Sequence, residues 1–464
     1  MNLAPIALIL FSLWVFSPDK QLFAIASVLL LFLINFSWRK NEPKIIFFGA
    51  ISYWLTVCTL MIFGVFYNRP MTDLTLTPNT FVYTTYLALT ATFLYSAGLF
   101  IGLRKIPEIN VQLIMNELKK YDSRKLLYAY IIFSIFSTVF GGVVLSFGGL
   151  SQLGVALIWM KWSFLTLLII HTLLFPENKK YVYLVLVFEV LLSFSGFWSS
   201  FKDYFFIAAA AFLTFSNRLN TKRIIGLGLA GGVFFYMMVI WNVVKGDYRM
   251  YLTGGKKTQV VAQESKIDNI KRLFEIVGEK FSKDNFNANL SVGIESLANR
   301  VNYTEYFALS VAQVPDILPF EKGALLMGGL EHVFKPRLFF PDKKTIDDSQ
   351  MTSKYTGRGF SGADQGVSFS LGLVAERYID YGPFFMFIPI FLFGLLLAFI
   401  YKYIFTHSFN HVWGISFVAP LFFLVPSLGI ATTKFLGWLL TYFIAWFFAN
   451  KYLIEKVNKL LLKV

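Results

Sequence analysis

Charge, glycine and proline interrupt this apolar chain of 464 residues most densely between Lys335 and Gly382, so chemistry is expected there or facing it. In KPRLFFPDKK, prolines 336 and 341 fence Arg337 on a stiff, extended segment that leads to Lys343 and Lys344. Gly357, Gly359, Gly362 and Gly366 then punctuate a loop bearing Arg358 and Asp364. Such glycine density lets backbone amides converge on an anion or a sugar. Glu376, Arg377 and Tyr378 follow in SLGLVAERYIDYGP, at a helix entrance expected on the outer surface. A carboxylate in that position is either a general base or only a partner for the helix dipole.

Further basic groups lie earlier. Lys202 belongs to SFSGFWSSFKDY, where it can meet an anionic headgroup or form a solvated pair with Asp203. Lys245 to Arg249, KGDYR, is expected in loop just past an apolar run. Arg grips a diphosphate through two parallel hydrogen bonds and Lys acts as a point charge, so these two clusters read together as a place for phosphate. Arg300 either joins them or is merely solvated. No Walker pattern, GxGxxG, HExxH or nucleophile elbow occurs, and His332 lacks metal-ligand companions. No metal or cofactor is expected. A lone Cys58 excludes an intramolecular disulfide.

The elements that must carry these groups follow from composition. With 56% hydrophobic and 15% charged residues and a mean hydropathy of +0.61, the chain reads as a polytopic membrane protein. Twelve apolar runs succeed one another from Leu3 to Phe448, the first, eighth and twelfth being short for a span of about 20 residues. The net charge of +15 is distributed as a topology signal rather than a nucleic-acid footprint. Connections 39–44, 104–125, 176–180 and 217–223 and the C-terminal tail are net positive, while 17–21, 67–81, 148–152 and 199–203 are neutral. The long segment 245–382 balances 18 basic against 17 acidic residues. By the positive-inside rule both termini are cytoplasmic and 245–382 lies outside.

The expected fold is therefore all-α: about twelve transmembrane helices and one large outer-face loop containing amphipathic helices. Residues 1–244 form spans one to nine, 245–382 the loop, and 383–464 the last three spans with a basic tail. Within the loop, Ile267, Ile270, Leu273, Phe274, Val277 and Phe281 recur at helical spacing, and Leu290, Ile294, Leu297 and Val301 mark a second helix. The helical pattern is expected to break from Gly323 onward. A third amphipathic helix is read within 104–125. Lys161, His171 and Glu189 fall inside apolar runs; Lys161 is placed to snorkel, and Glu189 is a candidate for a functional buried charge.

The span count, the large outer loop, PRLFFPDK at 336–343 and AERYIDYG at 375–382 together resemble the bacterial oligosaccharide repeat-unit polymerases, the Wzy-type O-antigen and capsule polymerases. GFWSSFKDY resembles the basic small-residue stretch that such polymerases place near the outer end of a middle helix, with Lys202 where Arg is usual. The resemblance implies a glycosyltransferase of the bacterial inner membrane. Its donor and acceptor would be polyprenyl-diphosphate-linked oligosaccharides, the bilayer and a chain-length regulator its partners, with no nucleic acid. It implies that Lys202, Arg249, Arg300, Arg337, Lys343 and Arg358 hold the diphosphate, that Glu376 or Asp364 takes the acceptor proton, and that Arg377 and Tyr378 bind sugar. O-antigen ligases share the layout but carry a functional His in the outer loop, a role His332 fits poorly. Flippases and secondary transporters show internal repeats, which this sequence lacks.

Overall fold

The computed structural model describes residues 3–39, 42–146, 151–194, 201–214, 221–255, 265–335, 340, 342–343, 346–362, 368–424 and 429–463. Among them every regular element is helical, apart from one isolated bridge between Tyr121 and Leu462. The first part runs α1 Ala4–Phe16, α2 Lys20–Ser37, α3 Ile45–Tyr67, α4 Pro78–Gly102, a short α5 Val111–Leu118, α6 Ser123–Ser146, α7 Ser151–Leu174, α8 Lys179–Phe194, α9 Phe201–Thr214 and α10 Thr221–Leu252. The next consists of α11 Lys266–Lys280, α12 Phe286–Val301, α13 Thr304–Gln313, α14 Ala324–Phe334, α15 Asp348–Thr356 and α16 Leu373–Phe385. The chain closes with α17 Phe387–His407, α18 His411–Val418, α19 Thr432–Phe448 and α20 Ile454–Leu461.

Among the described residues every apolar run meets helix, the eleventh passing from α18 into the 3-10 turns Ala419–Leu424. Six of the described helices are long and apolar enough to cross a membrane: Lys20–Ser37, Ile45–Tyr67, Pro78–Gly102, Gly154–Leu174, Gly228–Leu252 and Phe387–His407. Length separates α1 and α19 from this set: at 13 and 17 residues they rise only about 20 and 26 Å, against a hydrocarbon core of about 30 Å. Outward faces remain apolar, with Phe16, Ile132, Leu229 and Phe399 all mostly exposed, a surface that lipid covers and water does not.

The tightest packing joins α4 to α17. Gly98 and Gly102, one turn apart, face Gly394 and Ala398, spaced identically. A Cβ built on Gly394 would stand 2.1 Å from the Tyr95 carbonyl oxygen, and one on Gly98 2.3 Å from that of Phe391. Small residues at this spacing let two backbones touch, which is how apolar helices associate where no hydrophobic driving force separates them from lipid.

The long segment 245–382 departs from expectation in three places. KGDYR is not loop: α10 continues through it, because Trp241, Val244, Tyr248 and Leu252 keep an apolar stripe that packs on Leu273 and Ile276 of α11. Nor does helical structure stop at Gly323. That residue, at φ 92°, takes the N-cap position of α14, whose first free amides, Leu325 and Leu326, donate to Asp380 at 2.9 Å each. Finally, Glu376, Arg377 and Tyr378 lie buried on α16, not on an outer surface, because α16 packs between α13, α14 and α17. Gly382, at φ 70°, then ends that helical stretch just before Pro383 and α17.

Gly394→Ala should lower the free energy of unfolding by about 3 kcal/mol, since the added methyl meets backbone that cannot move aside. Gly226→Ala on α10 meets nothing within 4 Å and should be neutral or stabilise by up to ~1 kcal/mol. Equal responses of the two variants in denaturant titrations of detergent-solubilised protein would refute the close approach.

A candidate anion site between three helices

Four cations from separate parts of the sequence come within range of one another's charge. Lys202 stands in the first turn of α9, Lys245 and Arg249 lie one turn apart near the end of α10, and Arg300 is in the last turn of α12. The charges of Arg300, Arg249 and Lys202 all act on Lys245, and Arg300 acts on Arg249. The charge of Arg300 also acts on Tyr303. Lys245 Nζ donates to Asn242 Oδ1 at 2.6 Å, a neutral partner. Lys202, Lys245 and Arg300 form no ion pair with any described residue, and the nearby Asp247 is taken by Lys280 at 2.8 Å.

Packing holds this unfavourable arrangement together. At Gly293 of α12 a Cβ would stand 2.7 Å from Val239 Cγ1 and 2.8 Å from Val243 Cγ2, so α12 lies directly against α10. On the other side, Phe205 and Phe206 of α9 meet Phe234 of α10 at 5.2 and 5.4 Å between ring centroids. Like charges gathered at helix ends repel, and an anion seated among them relieves the repulsion while a cleft of one sign concentrates it from solution. Two Lys and two Arg suit an anion with several oxygens, such as a diphosphate.

The residues from 91 to 406 match a family described as a domain of unknown function (DUF8712). The chain belongs to this family. No curated protein and no solved structure matches it. The DUF8712 region begins within α4 and ends within α17, so it contains all four cations and both helices of the glycine seam.

The remaining residues singled out in the sequence fall elsewhere. Glu376 accepts the Thr432 amide at 3.0 Å and its hydroxyl in a shorter bond, while Arg377 donates to the same hydroxyl at 3.2 Å and lies 3.5 Å from Glu376 and 3.3 Å from Asp380. Burial pushes the Glu376 and Asp380 carboxyls up, and neighbouring Arg377 partly offsets both. Tyr378 donates to the Val314 carbonyl at 3.0 Å. These three side chains thus bind α16 to α13 and to the start of α19. Lys343 donates to the Lys335 carbonyl at 2.8 Å and also to that of His332, closing the C-terminal end of α14. Arg358 is exposed just beyond α15. Arg337 and Asp364 lie outside the described residues.

From sequence Lys245 stands only as the start of the KGDYR cluster, with Arg249 alone named for the diphosphate. The four-residue spacing between them gains meaning because α10 continues through both. Lys161 does not snorkel: it turns inward to Glu189 at 3.1 Å and lies over the Trp162 ring. Glu189 also accepts from Ser134 at 3.2 Å and, in a shorter bond, from Tyr130. His171 is buried against Phe175.

Lys161→Met leaves Glu189 as an uncompensated buried charge and should cost about 3–5 kcal/mol of stability. Lys161→Met combined with Glu189→Gln removes the stranded charge and should recover more than half of that loss. Unfolding titrations of the single and double variants measure the difference; additive losses would show that the pair does not act as a unit.

Proposed function

We propose that this chain is a membrane glycosyltransferase that polymerises polyprenyl-diphosphate-linked oligosaccharide repeat units into surface polysaccharide on the outer face of the bacterial inner membrane. The observation that supports this reading best is that Lys202, Lys245, Arg249 and Arg300, on three helices, come within range of one another's charge. In this reading twelve spans cross the membrane, both termini are cytoplasmic, and 245–382 is the outer segment. The alternation of basic and neutral connections along the sequence supports that orientation.

The chemistry suits the cations. A hydroxyl of one lipid-linked repeat unit attacks the anomeric carbon of another, and the bond to polyprenyl diphosphate breaks. Negative charge then grows on the departing phosphate oxygen, where fixed cations in a water-poor site lower the barrier most. Arg249 and Arg300 offer paired N–H donors to the phosphate oxygens; Lys202 and Lys245 offer point charges. Arg337 is a further cation that the resemblance to the repeat-unit polymerases assigns to the diphosphate.

In cells, Lys245→Ala, Arg249→Ala and Arg300→Ala should each lower polymer yield about 10²–10³-fold, the range for loss of one stabilising donor, with single repeat units still reaching the outer leaflet. Lys202→Ala and Arg337→Ala should act in the same direction. Gel analysis of polymer length together with leaflet-specific labelling of the lipid-linked sugar reads both quantities. Accumulation of donor on the inner leaflet would overturn the polymerase reading in favour of a flippase.

A further inference from the structure

One end of the helix bundle is basic and apolar at once. Because Gly98 faces Gly394 and Gly102 faces Ala398, α4 and α17 run in the same direction and both stop at that end. Arg39, just past α2, donates to the Leu103 carbonyl at 3.0 Å, and Lys402 of α17 donates to that of Arg104 at 3.1 Å. The C-terminal helix α20 is fastened here too. Its end pairs with the turn before α6, the Asp122 amide donating to the Leu461 carbonyl at 2.9 Å and the Lys463 amide to that of Lys120 at 2.8 Å.

The direction of α20 follows from two asparagines. Asn450 and Asn458 are separated by a helical rise of about 12 Å, yet both bond to the His407–Trp413 turn that joins α17 to α18. Asn450 accepts the Phe409 amide at 2.8 Å and donates to the His407 carbonyl at 2.9 Å; Asn458 accepts the Trp413 indole at 2.9 Å and, in a shorter bond, the Tyr121 hydroxyl. Thus α20 lies across the end of the bundle, at the level where α4 and α17 stop, instead of leading away from it.

Around α20 the side chains fall into three sectors. Ile454 and Leu461 are buried against the bundle, Leu453 and Leu460 beside them are 57% and 72% exposed, and Lys456 and Lys459 occupy the flank beyond. From Leu453 the exposed apolar surface continues back through Tyr452 to Phe447 and Phe448 at the end of α19, the rings of Phe448 and Tyr452 stacking at 6.1 Å. Arg104, Lys105, Lys119, Lys120 and Arg124 are exposed at the same end. Over 104–125 and 451–463 the exposed acids are Glu108 and Glu455, and Glu455 is already paired with Lys459 at 2.7 Å. An apolar flank beside a basic one, on a helix lying where the long apolar helices stop, matches the boundary between acyl chains and phosphates. Continuity with the outward rings of α19 favours lipid over an acidic protein.

We propose that α20 is an interfacial helix that binds anionic phospholipid in the leaflet at this end of the bundle. Leu453 and Leu460 dip among the acyl chains, and Lys456, Lys459 and Lys463 hold the headgroup phosphates. This role holds whether or not the chain transfers sugar.

Two measurements on the full-length chain test it. In the first, native mass spectrometry of detergent-solubilised protein follows titration with phosphatidylglycerol or phosphatidylcholine. Each lysine near an anionic surface adds about fivefold, so phosphatidylglycerol should bind at least about tenfold more tightly, less so as salt rises. Lys456→Gln, Lys459→Gln and Lys463→Gln combined should bring the two lipids within about threefold, while arginine at the same three positions should keep the preference. In the second, an environment-sensitive dye on Leu460→Cys, Cys58 being buried, is read in nanodiscs containing phosphatidylglycerol. Spin labels on lipid acyl chains should quench it and aqueous iodide should not. Equal binding of the two lipids by the parent chain, or an unchanged preference in the glutamine variant, overturns the proposal. So does a dye reached by iodide and not by acyl-chain labels, which would leave α20 as a face for an acidic protein. The parent titration and the dye each decide without the glutamine variant, so its failure to fold leaves the test intact.

Discussion

Two backbones in direct contact are the constraint on which the rest of this fold depends. Where Gly98 and Gly102 of α4 meet Gly394 and Ala398 of α17, no side chain intervenes, and neither helix has room to rotate or slide. In lipid, apolar side chains give little preference for one helix partner over another, so shape alone must choose it. This seam connects residues nearly three hundred positions apart and thereby sets the last helices against the first ones. The α16 stretch, which runs directly into α17, inherits its position from that contact.

The cation cluster is the energetic opposite of the seam. Gathering Lys202, Lys245, Arg249 and Arg300 destabilises the folded state by itself, so apolar contacts must hold it: Gly293 against Val239 and Val243, the α10 stripe against α11, and the α9 rings against Phe234. Evolution toward stability alone would scatter such charges. The apolar contacts therefore offset the cost of holding four like charges within range of one another.

Much of the architecture was legible in the sequence because an apolar backbone in lipid has little choice but to be helical. Lys202, Arg249 and Arg300 were legible as a group because each stands at the end of an apolar or amphipathic run on the same side by charge counting. Lys245 was legible only as the start of the KGDYR cluster, since its place one turn from Arg249 depends on α10 persisting through a glycine and an aspartate. Glu376, Arg377 and Tyr378 were misplaced for a different reason. Local pattern marks charged residues as exposed, and the partners that hold them, Thr432 and Val314, are more than fifty positions away. Lys161 was misread likewise: its position suggested a route to the interface, but Glu189, 28 residues on, offered a closer charge.

The Glu376 bond to Thr432 has a consequence for how the chain is assembled. The DUF8712 region ends at 406, yet the group that satisfies the buried Glu376 carboxylate begins α19, which is made later. Asp380 on the same helix caps α14, so α16 joins α14 to the start of α19. A piece cut at the family boundary would lack Thr432 and leave the buried Glu376 carboxylate without this partner.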